Sequence, residues 1–187
     1  MIRCLKHSRI QPCPNRIIFL EKEWQIAYED LKTILPTIEF HEGLDTPALT
    51  SITSANKYLL IIDDLMSSAG IQNRFRNSYA EISSQKFICV FLVQNLFYHG
   101  KEMRNIILNV HYLVLYKNPR DKSQSRYLPQ HVFPENPKFQ VNSYQHATTN
   151  PHSYLVLDLH PDTTEDFRIL TNILPDDSIR YYLPTTL

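Results

Sequence analysis

The sequence predicts an α/β fold with a mostly parallel sheet and flanking helices, and three observations carry that expectation. Short apolar runs recur at 16–20 (RIIFL), 58–62 (YLLII), 87–93 (FICVFLV), 112–116 (YLVLY) and 154–159 (YLVLDL). They are rich in Ile, Val, Phe and Tyr and lack polar alternation, which suits strands buried on both faces. Helix-like patterns lie between them, as doubly covered strands require. The run at 58–64 (YLLIIDD) ends in two carboxylates, which places acids at the C-terminal end of a buried strand, where ligands bind in open α/β sheets.

Between the first strand and the next, Trp24, Ala27, Tyr28, Leu31, Ile34 and Leu35 have the spacing of one helix face, predicting a helix over 23–35 that stops before Pro36. Residues 71–83 form a weaker helical candidate, and 101–108 reads as helix or turn. Asn118-Pro119 precedes a candidate helix over 121–128, with Asp121 near its positive end. Residues 163–170 (TTEDFRIL) read as a capped helix with Thr163 or Thr164 at the N-cap. The segment 129–151, with four prolines, reads as a long excursion, either a binding loop or a surface segment. No internal repeat is present.

A length of 187 residues suits a single domain, and 43% hydrophobic with 20% charged residues is ordinary for a globular chain. Nineteen basic residues balance nineteen acidic ones, so the overall charge gives no argument for nucleic acid or a membrane surface. The cysteines Cys4, Cys13 and Cys89 are odd in number and form no CxxC pair, which fits a reducing compartment, with Cys89 as a small core residue. The N-terminal stretch is polar and basic, and apolar runs reach six to eight residues, against the ~20 that span a bilayer. The expectation is an intracellular protein, in nucleus or cytoplasm, neither secreted nor membrane-bound.

Asp63 and Asp64 can be read in two ways. A carboxylate at such a strand end can hold Mg²⁺ through water while its neighbour orients an attacking water. Asp also ends strands because it begins turns and caps helices. The run at 87–94 likewise ends in Gln94, followed by Asn95. That amide is either a polar sensor beside the acidic strand or a group that caps the strand.

The stretch VQNLFYHGKEMRNIILNVHYLVLYKNPRD (93–121) resembles the FtsK/HerA-type genome-packaging ATPases of Polinton/Maverick elements, adintoviruses and related large DNA viruses. LLIIDDLMS (59–67) is similar to the Walker B segment of that family. RIIFLEKEWQIAYEDL (16–31) and IEFHEGL (38–44) are similar to its second strand and the helix after that strand, and YLVLDLHPDTTEDFRILTNILP (154–175) to its closing strand and helix. The resemblance is collinear over roughly residues 14 to 175. It implies a P-loop-NTPase-like fold and ATP hydrolysis that drives double-stranded DNA translocation by a homo-oligomeric ring. It further implies that Asp63 holds the Mg²⁺ shell, Asp64 polarises water and Gln94 is the sensor. Arg104 and Arg120 are candidates for trans contacts or phosphate sensing, or are solvent- or DNA-facing basic residues. The implied cofactors are Mg²⁺ and ATP.

The chain departs from the family's pattern in two places. The family opens with a strand and a GxxxxGK[ST] loop, whereas no such motif occurs in these 187 residues, and the three glycines are Gly43, Gly70 and Gly100. Around Gly100-Lys101, Asn95 stands at the first glycine position and Glu102 at the Ser/Thr position. The family also carries a histidine- and arginine-rich turn between Walker B and the sensor strand. The corresponding stretch, 72–86, has Arg74 and Arg76 as its only basic residues before Lys86. The expectation is an ATPase-like domain missing the first strand and P-loop, and inactive alone unless another exon, start site or partner chain supplies that loop. The alternatives are a non-catalytic, element-derived binding or assembly module and a decaying gene fragment.

Overall fold

The computed structural model describes residues 10, 13–44, 47–52, 56–65, 87–94, 107–119, 136–174 and 177–184. The helices expected at 71–83 and 121–128, most of 101–108, and Asn95, Gly100, Arg104 and Arg120 lie outside these residues. The chain divides into two units, Met1–Gln94 and Asn95–Leu187, each with its own sheet.

In the first unit three of the apolar runs become strands as expected, β1 (Arg16–Glu21), β3 (Tyr58–Asp63) and β4 (Phe87–Leu92), and a further strand, β2 (Ile38–Glu42), forms where no apolar run was read. All pair in parallel, in the order β2-β1-β3-β4. Tyr58 to Ile62 are almost inaccessible, as are Ile18 to Leu20, so β1 and β3 are the doubly buried strands that their composition implies. One face is built from Ile17, Phe19, Ile38, Leu59 and Ile61, against which Tyr28 and Leu31 of α1 (Ala27–Ile34) pack. Phe40, Ile88, Val90 and Leu92 extend it. Phe19 and Phe40 lie 5.0 Å apart, and Phe19 and Tyr28 likewise 5.0 Å, as tilted ring pairs. A four-residue helix, α2 (Pro47–Thr50), comes after β2.

The helix α1 begins four residues later than its apolar spacing predicts. No side chain caps it, the N-cap position being Ile26, and residues 22–25 instead pass over the strand ends. There Trp24 closes on Tyr28 and Phe40 at 5.5 and 5.2 Å. The aromatic contact wins over helix propagation at this end. At the other, Leu35 donates its N–H to Leu31 O before Pro36.

On the opposite face Arg16 donates from Nε and Nη2 to the two carboxylate oxygens of Glu39, at 2.8 and 2.6 Å, and its guanidinium lies 5.6 Å from the Tyr58 ring. The bidentate guanidinium holds the Glu39 carboxyl below its ordinary value of 4.5. A depressed carboxyl contributes stability above its unfolded-state value and loses it as pH falls through the folded one. The urea midpoint should therefore drop between pH 5.5 and pH 3 by more in the wild type than in Arg16→Met. With both side chains about a third exposed (29% and 35%), the difference should stay within roughly 1 kcal/mol.

The second unit corrects the expectation of parallel strands. Here β5 (Tyr112–Tyr116), β6 (Tyr154–Asp158), β7 (Ile169–Thr171) and β8 (Arg180–Tyr181) form an antiparallel sheet in chain order. Leu155 and Leu157 are fully buried in β6, whereas β5 alternates between exposed and half-buried positions, as an edge strand with one solvated face does. Two further expectations change. Residues 137–147 of the proline-rich excursion form a helix, α3 (Pro137–Ala147), whose start is set by Asn136, which accepts from the Phe139 N–H, and by Pro137 in the first turn. The capped helix expected at 163–170 is a single 3-10 turn, Glu165–Phe167, with β7 close behind it. The Arg168 side chain bonds Glu165, Asp158 O and His160 O, and pairing with β6 takes the chain out of helix. Among the described residues no helix is long and apolar enough to cross a membrane.

Candidate functional site

The order β2-β1-β3-β4 contains one reversal of winding. The chain leaving β1 goes to β2 on one side, and the chain leaving β3 re-enters at β4 on the other. The gap outside the C-terminal ends of β1 and β3 is therefore the switch point, where open α/β sheets bind ligands. A cavity of about 100 Å³ lies there, lined by Lys22, Glu23, Gln25 and Tyr28 from the β1 side and by Asp63 and Asp64 from the β3 side.

Asp63 is held in place. Tyr28 Oη donates to Asp63 Oδ2 at 2.5 Å, a short charge-assisted bond, and burial together with this bond pushes the Tyr28 hydroxyl well above its ordinary value. Asp64 turns the chain: its φ is 52°, in the left-handed region that Asp and Asn tolerate better than most residues. Its N–H donates to Leu92 O at 3.3 Å, and its side chain is exposed. Gln94 lies two residues beyond β4, exposed, and does not line the cavity. Asp63 and Asp64 thus meet in one cavity, and Gln94 sits at the adjacent strand end.

The strand register adds two residues that the sequence reading missed. Glu21 pairs with Glu42 across β1 and β2, and Leu20 with Ile62 across β1 and β3, so Glu42, Glu21 and Asp63 form a row across three neighbouring strand ends. In-register neighbours share a face, about 4.8 Å from strand to strand, and this is the face that α1 covers. Glu21 is 5% exposed, and its Oε2 has no hydrogen-bond partner among the described residues. Burial first, then Glu42 and Asp63, raise its carboxyl above the ordinary 4.5, partly offset by Lys32. Lys32 itself lies over Trp24, 4.5 Å from the ring centroid. The signal was present in the sequence, since RIIFLE, IEFHE and YLLIID each end in an acid. Only the register shows that the three ends align.

The cavity suits a hydrated cation better than a nucleotide. Carboxylate and hydroxyl oxygens are hard donors, and among the described residues of the lining Glu23, Asp63 and Asp64 outnumber Lys22. Among the described residues no group of three or more His, Cys, Asp or Glu is placed to hold a metal ion together, so water would complete any shell, as Mg²⁺ prefers. The volume is well below the roughly 300–1,000 Å³ of small-molecule sites, and a net acidic lining repels phosphate. Comparison with protein families, with curated proteins and with solved structures returned no match.

Proposed function

We propose that the first unit is the carboxylate side of a magnesium-dependent phosphoryl-transfer site, as in the FtsK/HerA-type packaging ATPases that its sequence resembles. The observation that carries the reading is the placement of Asp63 and Asp64 at the switch point, with Gln94 at the neighbouring strand end. A magnesium nucleotide, when bound, supplies the phosphoryl group and the positive charge that the acids attract. Asp63, oriented by Tyr28, accepts hydrogen bonds from the ion's water shell, Asp64 polarises an attacking water, and Gln94 orients it. Arg104 and Arg120 are assigned to phosphate or trans contacts, with double-stranded DNA as the translocated partner of a homo-oligomeric ring. The phosphate cradle is assigned to a GxxxxGK[ST] loop outside residues 1–187, on another chain or in sequence joined to this one.

Without that loop the chain alone should show neither ATP hydrolysis nor a thermal shift with Mg·ATP. Supplied with the loop, it should hydrolyse ATP in the presence of double-stranded DNA, and Asp63→Ala should lower the rate by about a hundredfold or more, equivalent to several kcal/mol of lost metal stabilisation. Hydrolysis untouched by Asp63→Ala would sink the reading. A second reading, a non-catalytic binding or assembly module, is favoured by the small acidic cavity. It predicts no DNA-stimulated turnover even with the loop in place.

A further inference from the structure

We infer that the second unit binds the phosphate group of a small phosphorylated molecule, in a cavity of about 360 Å³ between the end of α3 and the last two strands. That volume falls within the roughly 300–1,000 Å³ of small-molecule sites, which the cavity at Asp63 does not reach. The wall comes from four chain segments: the last turn of α3, the turn before β6, the end of β7, and β8 with the residue after it. Thr171 pairs with Arg180 across β7 and β8, and directly opposed residues of an antiparallel pair share a face. Arg180 therefore stands on the face that carries the buried Thr171.

The polar groups of this wall suit an anion. No carboxylate is among the described lining residues, and Arg180 has no ion-pair partner among the described residues. The hydroxyl protons are already committed to backbone carbonyls: Thr149 Oγ1 donates to Gln145 O and His146 O, Ser153 Oγ to Asn150 O, and Thr171 Oγ1 to Tyr154 O. Tyr182 Oη lies 2.8 Å from His146 Nδ1, and burial, partly offset by Arg180, holds that phenol above its ordinary value and so protonated. With the phenol donating to Nδ1, the imidazole carries its own proton on Nε2. Asn172 Oδ1 lies 3.5 Å from the Thr171 hydroxyl, which leaves Nδ2 to donate elsewhere. The remaining donors are thus N–H groups, from Arg180, His146, Asn150 and Asn172. A guanidinium fork meets phosphate oxygens two at a time. A tetrahedral phosphate still offers oxygens to donors arriving from other segments, whereas a carboxylate has two oxygens in one plane.

The test titrates the full chain with ribose 5-phosphate, with ribose and with double-stranded DNA, and follows backbone amide NMR shifts. Ribose 5-phosphate should give saturable shifts at Asn150, Asn172 and Arg180, inorganic phosphate should compete, and ribose should give none. Arg180→Gln should weaken binding at least about tenfold, as loss of a charged hydrogen-bond donor does. Asn172→Asp keeps a residue that tolerates the φ of 61° found there and places a carboxylate in the cavity, so it should weaken binding as strongly while the sheet stays folded. Shifts that spare these residues, or that ribose reproduces, overturn the inference without any variant. Binding unweakened by either substitution also overturns it. Shifts here with DNA but not with ribose 5-phosphate would make the cavity a nucleic-acid contact and sink the small-molecule assignment. None of these outcomes touches the reading of Asp63.

Discussion

Phe19→Ala is expected to destabilise the first unit by about 3–5 kcal/mol, the usual cost of removing a buried phenylalanine. The ring is 1% exposed and touches the rings of both Tyr28 and Phe40 at 5.0 Å. Its loss removes apolar burial and two aromatic pairs, each pair worth roughly 0.5–1.5 kcal/mol beyond area. The cavity left behind sits beneath α1, whose Tyr28 also positions Asp63, so the damage should reach the candidate site. Trp24, the single tryptophan, lies 5.5 Å from the Tyr28 ring, and its fluorescence should report the transition. A urea midpoint within experimental error of wild type would mean that the aromatic cluster does not hold α1 to the sheet.

Leu157→Ala should be comparably severe in the second unit, at about 2–5 kcal/mol. Leu157 is fully buried, and it pairs with Leu113 on one side and Ile169 on the other, in the middle of a sheet whose last two strands are short. The three-residue β7 and two-residue β8 have few hydrogen bonds of their own and depend on β6. Amide exchange of β6 and β7 should accelerate together in the variant. Protection of β7 that survives the substitution would show that it is held by something other than β6.

How much of this was legible in the sequence depends on which physical signal was needed. RIIFLE and YLLIID announced buried strands because short Ile-, Leu- and Phe-rich runs without polar alternation favour strand, FICVFL announced a strand that its edge position leaves half-buried, and the switch-point acid Asp63 came from its place at a strand end. Glu21 and Glu42 were not legible as site residues, because an acid after a strand also reads as a turn until register shows three ends aligned. The antiparallel second sheet was hidden for a related reason. YLVLY is apolar at every position, so it gives no alternation, yet the edge position of β5 exposes Tyr112, Val114 and Tyr116. The helix α3 was missed because its buried face is Gln140, Ser143 and Ala147, which carries almost no apolar periodicity, and because the four prolines of 129–151 made the whole segment read as an excursion, although Pro137 sits in a helix's first turn. The turn at 165–167 shows the opposite error, where good capping chemistry lost to strand pairing.

The backbone at Asp64, with φ at 52°, has a consequence for how that residue can be interrogated. Residues other than Gly, Asn and Asp rarely accept this conformation, so the position has a conformational reason to be aspartate that is separate from its charge. Alanine there would report two losses at once, whereas asparagine leaves the bend comfortable and removes only the negative charge. A kinetic or binding defect seen with alanine but not with asparagine belongs to the bend.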